Sequence, residues 1–471
     1  MKEINLDTVV IGSGLSGLSF INEFLKKNKK ISLISPIKPA SQINDVDKEM
    51  VKNLPPQIFQ RKSISSIINY LKSNEFSTTS DAEVIGSLEF GGLSNYWANQ
   101  IEVDELSDLE GLNQIEKKKI KKILLDLIDR NRFIVNSKNN KNRQFKIDES
   151  FNSLIEDNRN LKISKPNLAL SPKKKLIEFK NDFTTFNARN FFSKIKNKKY
   201  LNIYDCYLIK IKKEGSKYIL FCKSQKNKKD IRFIANRLVL ACGTLVTTKL
   251  LVDYFNIKKE VSIKHHQRLI GSFFAKNSYE SNMNFLNSII WFKGKIANKN
   301  FIGDLRIGSK VIIDAIVRKF SYLSIFRFFL DLIRKRLFFT NIFLSTSFSN
   351  LYLLKKDKKY IIFTKPNKQS RINTNLVKCF NKLKSKLQEH NLIYPISITK
   401  TLKPGNDFHY CGTLKYNKKN YKLSIDNNCQ LLNSKNLYVV DSSVFDFKKN
   451  LFPLAVVISN SIRVANNLIN K

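Results

Sequence analysis

The feature that most limits what this chain can become lies near its start, a glycine-rich turn held between two apolar runs. Asp7-Thr-Val-Val-Ile11 has the β-branched composition of a buried parallel strand. It leads straight into Gly12-Ser13-Gly14-Leu15-Ser16-Gly17, which matches G-x-G-x-x-G. Leu18, Ile21 and Leu25 then repeat at three- and four-residue steps, as on one face of a helix, and Ile31-Ser-Leu-Ile34 reads as a second strand. Each glycine answers a separate need. Gly12 makes the tight turn out of the strand, Gly14 lets backbone N–H groups reach a pyrophosphate at the positive end of the helix, and Gly17 lets helix and strand approach closely. Strand, loop, helix and strand in this order are the context that makes the motif a dinucleotide site. One part is missing. The acidic residue expected at the end of the second strand, for the ribose hydroxyls, is replaced by Ser35-Pro36, and a serine hydrogen bond is weaker than that of a carboxylate.

The 471 residues leave room for two or three lobes with real cores, and a hydrophobic fraction of 42% belongs to a folded protein. Lys and Arg outnumber Asp and Glu by 83 to 39, a net charge of +44, which points to nucleic acid or an anionic membrane as a partner. The lysines are spread among many Asn, Ile and Phe, as drift of an AT-rich coding sequence also produces. No RRM, helix-turn-helix or zinc-finger pattern occurs, so no nucleic acid is expected. The six cysteines form no CxxC pair and no Cys/His metal spacing; they read as reduced, packed residues, and no metal site is expected. The first strand begins almost at Met1, which leaves no space for a cleaved secretory signal, and no apolar run reaches the 18 residues of a membrane span. The expectation is a cytoplasmic protein, soluble or peripheral to the inner face of a membrane.

Residues 37–85 are polar and broken by Pro39, Pro55 and Pro56, with a short helix expected over Ser63 to Leu71. Phe90-Gly91-Gly92-Leu93-Ser94-Asn95-Tyr96-Trp97 follows. Its paired glycines allow positive φ and close approach to a flat ligand, although a surface turn capped by Ser94 fits equally. Gly111 to Val135 carries a helical stripe, and 136–175 reads as loop. From Tyr200 the pattern turns to strands (201–211, 218–221 and 231–235), then to a buried strand, Arg237 to Ala241, ending in Cys242-Gly243-Thr244. Segment 261–400 alternates in places like an antiparallel sheet, as at Phe285 to Phe292. Within it, Val311 to Leu344 reads as a basic amphipathic helix, with Phe320, Leu323, Phe326, Phe329, Leu330 and Ile333 apolar beside Arg318, Lys319, Arg327, Arg334, Lys335 and Arg336. Such a helix lies in a membrane interface or lines the entrance for a lipid-like substrate; core packing accounts for the phenylalanines as well. Of the four histidines, the His265-His266 pair reads as exposed and His390 as a cation at a helix C-terminus. His409 sits in Pro404-Gly-Asn-Asp-Phe-His409-Tyr-Cys-Gly412-Thr413.

With that last stretch the pieces fall into one order, and the chain resembles the glucose–methanol–choline (GMC) family of flavoprotein oxidoreductases. The resemblance is carried by Val10 to Gly17, Gly91 to Trp97, Val239 to Leu251, His409 to Thr413, and Asn436 to Phe445 followed by Pro453 and a terminal helix. It implies an α/β protein: a Rossmann-type FAD-binding domain assembled from discontinuous segments (1–100 with 200–260 and 425–471), joined to an antiparallel-sheet α+β substrate domain (101–199 with 261–424). It further implies FAD with its pyrophosphate on Gly12, Ser13, Gly14, Leu15, Ser16 and Gly17 and its ribose near Ser35. Gly92, Ser94, Asn95 and Trp97 would run beside the flavin, Leu208 and Gly243 would contact the cofactor, and a backbone N–H of Asp441-Ser442 would meet the diphosphate or ribityl chain. The reaction implied is oxidation of a CH–OH group of a small alcohol or sugar-like substrate, a sugar or glycolipid hydroxyl being the candidates by analogy, through hydride transfer to flavin N5 with His409 as general base. The electron acceptor is left open among oxygen, quinone and a carrier protein.

The chain departs from the family where a second His or Asn usually precedes the proline of the final helix. Phe452 stands there, and Asn450 is the nearest amide, hence a second catalytic candidate. Three readings compete: an FAD-dependent alcohol dehydrogenase or oxidase, a flavin-binding lyase or degenerate homologue, and a membrane-surface module using 311–344.

Overall fold

The computed structural model describes residues 2–37, 70–103, 109–133, 135, 149–155, 161–172, 183–226, 228–279, 288–310, 313–314, 317, 321–365, 369–449 and 452–470. The first strand, Lys2–Ile11, is central to a seven-stranded sheet. It pairs in parallel with Ile31–Ile34 on one side and Asp230–Leu240 on the other, with Val9 opposite both Ser32 and Leu238. Ile31–Ile34 carries the parallel strand Leu201–Tyr204 at its outer edge. Asp230–Leu240 is shared between two neighbours. Its first half pairs antiparallel with Lys217–Ser224, which forms a hairpin with Cys206–Glu214, and its last three residues pair in parallel with Leu437–Val439.

Val9, Val10, Leu33, Leu238, Val239 and Leu240 are all fully buried, which is why these strands read as unbroken apolar runs rather than alternating ones. The helix Leu15–Lys26 packs against the terminal helix Leu454–Ile469, where Ser461 Oγ donates to the Ser16 carbonyl at 2.6 Å. The helix Gln114–Arg130 lies on that terminal helix, tied by the buried pair Arg463–Glu116, and starts at an Asn113 side-chain cap on the Glu116 N–H.

A second, antiparallel sheet of six strands has the order Ile393–Thr401, Arg268–Ala275, Leu337–Leu344, Lys299–Ile307, Ile290–Ile296, Leu161–Ser164. The helix Gln369–Glu389 covers one face. There Phe380 stacks on Phe273 at 4.7 Å, and a Cβ at Gly271 would lie 2.4 Å from the Phe380 ring, so glycine lets the helix seat. The fold is thus mixed α/β with an antiparallel sheet, as the family resemblance implied. A four-stranded sheet (Val261–Ile263, Leu351–Lys356, Lys359–Phe363, Phe76–Thr78) completes the main architecture.

Several expectations change. Val311–Leu344 is not one helix: a turn at Ser321–Phe326 and the helix Arg327–Arg334 are followed by Leu337–Leu344, an interior strand of the six-stranded sheet. Leu-Phe-Phe-Thr-Asn-Ile-Phe-Leu is rich in residues that favour a pleated surface, and pairing on both edges overrides the helical stripe. The stretch read as loop holds strands at Leu161–Ser164 and Leu170–Pro172; 136–148, 156–160 and 173–175 lie outside the described residues. So do 285–287 and 63–69, although Tyr70 and Leu71 are helical. No helix among the described residues is long and apolar enough to cross a membrane.

Candidate active site

A cavity of about 970 Å³ opens between the carboxyl ends of the parallel strands and the uncovered face of the six-stranded sheet. Its first wall is the glycine turn. Gly12 has φ +104°, and a Cβ there would lie 2.3 Å from the Ala241 carbonyl oxygen; one on Gly17 would lie 2.3 Å from the Gly12 oxygen. Gly14 is different. Its nearest neighbour in that direction is 4.0 Å away, so its backbone faces open space. Ser13 Oγ accepts from Ser35 Oγ at 2.8 Å and from the Gly91 N–H at 2.9 Å, which joins the turn to the second glycine loop. Ser94 Oγ donates to the Gly91 carbonyl at 2.6 Å and accepts from the Leu15 N–H at 3.3 Å, capping a helix whose own N-cap glycine has no side chain to do so.

Gly12, Ser13, Gly14, Leu15, Ser16, Ser35, Gly92, Ser94, Trp97, Leu208, Gly243, Asp441, Ser442 and His409 all line the cavity. Gly17 and Asn95 stand behind it. Gly17 faces Gly12 and Ala241, while the buried Asn95 donates to the Phe90 carbonyl at 2.6 Å and supports the Gly91 turn. Trp97 is held by its indole N–H on the Phe186 carbonyl at 2.8 Å. Asp441 spends its carboxylate inside the protein, accepting from the Gly243 N–H at 3.0 Å, Thr247 Oγ, the Ser443 N–H and Ser443 Oγ. It therefore holds the Gly243 loop and leaves only backbone for a ligand. Asn450 lies outside the described residues.

Parallel pairing also supplies a carboxylate where the sequence lacks one. Ile34 lies opposite Tyr204, and Ser35 N–H continues the ladder to the Tyr204 carbonyl. The next residue of that neighbouring strand is Asp205, on the cavity wall beside Ser35, with Oδ1 accepting from the Ile37 N–H at 2.9 Å.

The chemistry at the other end centres on three histidines. His265 and His266 were expected at the surface and are completely buried, because the chain there is pinned: Lys264 bridges Cys411, the His265 N–H donates to Ser349 Oγ at 3.2 Å, and Asp407 faces the His265 ring and the His266 N–H. Asp407 Oδ1 accepts from the His266 and His409 N–H groups at 3.2 and 2.9 Å, and Oδ2 lies 2.8 Å from His265 Nδ1. Burial works against the charge on Asp407, but His265, His409 and His266 outweigh it and hold its carboxyl below the usual range. His266 Nε2 is 3.1 Å from the Phe447 carbonyl, which only accepts, so that nitrogen carries the proton and Nδ1 is left as acceptor. His409 Nδ1, 3.0 Å from His266 Nδ1, is then the donor. The network so assigns the His409 lone pair to Nε2, which takes no hydrogen bond from the described residues. Burial chiefly, with His266 and Arg268 adding to it, depresses His409 to about 3, and burial depresses His266 to about 4. Both rings are neutral at neutral pH.

No family model and no curated protein matches the chain. Among solved structures, the crystal structure of pyridoxine 4-oxidase from Mesorbium loti superposes with a TM-score of 0.64, covering 99% of this chain and 100% of that one at 12% identity. The chain shares the pyridoxine 4-oxidase fold. At that identity the likeness speaks for the architecture alone.

Within the fold it shares with pyridoxine 4-oxidase, this chain builds the second cavity wall from charge that sequence reasoning did not find. Asp304, wholly buried, accepts from Arg306 Nε at 2.9 Å, Ser288 Oγ at 2.9 Å, Gln100 Nε2 at 2.6 Å, and the N–H and Nδ2 of Asn341 at 3.1 and 3.0 Å. Burial opposes its ionisation, yet Arg306 and these donors keep the carboxyl below its ordinary value. Arg268 donates through Nε at 3.1 Å to Asn341 Oδ1 and lies 5.5 Å over the Phe343 ring. No carboxylate among the described residues is within ion-pair distance of it, and burial lowers it to about 10. Phe343 stacks on His409 at 5.2 Å, with Phe452 edge-on at 6.5 Å. One signal was available: Asp304-Leu-Arg306 places two charges on one face of an apolar alternating strand.

Proposed function

We propose that the chain is an FAD-dependent oxidoreductase of GMC type that oxidises a CH–OH group, with His409 as the base. The observation that carries this reading is the hydrogen-bond chain Phe447 carbonyl–His266–His409, which leaves a neutral imidazole on the cavity wall whose Nε2 takes no hydrogen bond from the described residues. The wall fits the cofactor. Gly14 leaves its backbone open, the helix behind it offers first-turn N–H groups to a pyrophosphate, and a side chain at Gly12 or Gly91 would collide with the protein. Ser13, Gly14 and Leu15 would hold the diphosphate and Asp205, with Ser35, the ribose. When bound, the flavin supplies the hydride acceptor.

The residues of the chain supply the rest. His409 Nε2 accepts the hydroxyl proton as the C–H bond breaks, and the resulting positive charge is shared with His266 and answered by Asp407. Phe343 and Phe452 keep water from the reacting carbon. His266 gives His409 a hydrogen-bond partner from behind the cavity wall, while Phe452, on the wall, offers a substrate oxygen no polar group. A fold neighbour named as an oxidase of pyridoxine, itself an alcohol, agrees in reaction type and by analogy only.

The first test is the visible spectrum of the purified protein and of the chromophore that acid releases. FAD is expected. His409→Ala should keep FAD and lose roughly 10²–10⁴-fold in the rate of flavin reduction by an alcohol substrate. A folded protein that cannot be loaded with FAD defeats the reading.

A further inference from the structure

The segment read as an amphipathic helix offers its apolar side to solvent. Tyr322, Ile325, Phe326, Phe328, Phe329 and Leu332 are all exposed, Ile325 and Phe328 by 84% and 85%, and no residue of the helix Arg327–Arg334 is buried. Core packing, the plain explanation for so many phenylalanines, therefore does not apply here. Large apolar side chains left bare in a cluster mark a contact surface. The charges identify its partner. Over 321–336 Arg327, Arg334, Lys335 and Arg336 stand against Asp331; Arg334 pairs with Asp331 at 3.1 Å and Arg327 with Asp314 at 2.5 Å, which still leaves the segment net basic in a chain of net charge +44. Phenylalanines that can enter an acyl layer, beside arginines whose stems can reach back to headgroups, suit an interface with anionic lipid.

The surface also continues toward the cavity. The helix ends beside the sheet, where Arg336 accepts from the Ala275 N–H and Leu337 from the Gly308 N–H, both at 2.8 Å. Cross-strand register aligns the exposed Ile398 with Ser272, Phe339 and Arg306, and Arg306 lines the cavity. Ile396, two residues before Ile398, is exposed on the same strand face, and Tyr394 meets Phe274 at 5.9 Å.

We infer that the Ser321–Arg336 segment docks the protein onto the surface of an anionic lipid bilayer, with the isoleucines of the edge strand extending the contact to the cavity side. An alcohol borne by a lipid would then reach His409 without leaving the interface; that consequence rests on the proposed oxidation, whereas docking does not. The test is co-sedimentation of the full-length protein with phosphatidylcholine vesicles, with and without phosphatidylserine. The triple variant Ile325→Asp, Phe328→Asp, Leu332→Asp alters only exposed positions, so its melting temperature and FAD loading should match the wild type. The expected result is binding that needs phosphatidylserine, weakens with salt, and drops at least tenfold in the triple variant. His409→Ala should bind as the wild type does, which separates a failure of docking from a failure of the oxidation reading. Equal vesicle binding by wild type and triple variant, or none by the wild type, overturns the inference. So does a wild-type dimer in solution that the triple variant converts to monomer, since a second copy would then be what covers this face.

Discussion

The two walls of the cavity solve the same problem by opposite means. The glycine wall presents backbone: Gly12 and Gly91 turn the chain where a side chain would collide, Gly14 leaves its backbone open, Gly243 turns at positive φ, and the carboxylate of Asp441 is consumed in holding the Gly243 loop. The sheet wall presents side chains, with a buried network of Asp304, Arg306, Asn341 and Arg268 set beside a neutral histidine pair. Backbone recognition is local, since a few residues in sequence make the whole contact. The charged wall is largely non-local: Asp304 and Arg306 pair within one strand, but Asn341, Gln100 and Ser288 reach Asp304 from other segments, and such a group is costly when its partner is lost.

The sharpest way to break this contrast is to remove one partner from each wall. Asp304→Ala removes a buried carboxylate that accepts from Arg306, Ser288, Gln100 and Asn341 and should cost about 3–5 kcal/mol, read as a fall in the denaturation midpoint. A loss as small as that of a surface ion pair would show that this wall is not held by charge.

Acid should act on the sheet wall next. His409 and His266 have folded values near 3 and 4 against an ordinary 6.5, so the unfolded chain binds more protons between those limits. Stability should therefore fall as pH drops below about 6.5, by up to about 1.4 kcal/mol per histidine for each pH unit. Asp407 and Asp304, held low, keep their contributions until more acid conditions. Thermal melts of the wild type and His266→Gln across this range check the sign, for the variant should show the shallower slope. Melts that do not change between pH 6.5 and 5 would mean that the rings are solvated.

The smallest effect is expected on the glycine wall. Asp205→Asn keeps an acceptor for the Ile37 N–H but removes the charge facing the proposed ribose site, so FAD should bind roughly fivefold to tenfold more weakly, about 1 kcal/mol, with melting of the apoprotein little changed. Titration of the apoprotein by flavin fluorescence measures it. Unchanged affinity would return the ribose contact to Ser35.

What the sequence by itself determined is whatever a short stretch can specify. The turn at Gly12–Gly17 and the strands around it follow from spacing and from the few residues that tolerate positive φ, whereas the loop at Gly91 and Gly92 and His409 were assigned to the cofactor site only by the family resemblance. Tertiary structure decided the rest. Strand pairing brought Asp205 to the end of Ile31–Ile34, buried the histidine pair that a lysine-rich turn suggested was exposed, and split Val311–Leu344 between a solvent-facing helix and an interior strand. The reason is the same in each case: a hydrogen bond or a buried charge is settled by its partner, and here the partners lie up to 445 residues away, as Ser461 does from Ser16.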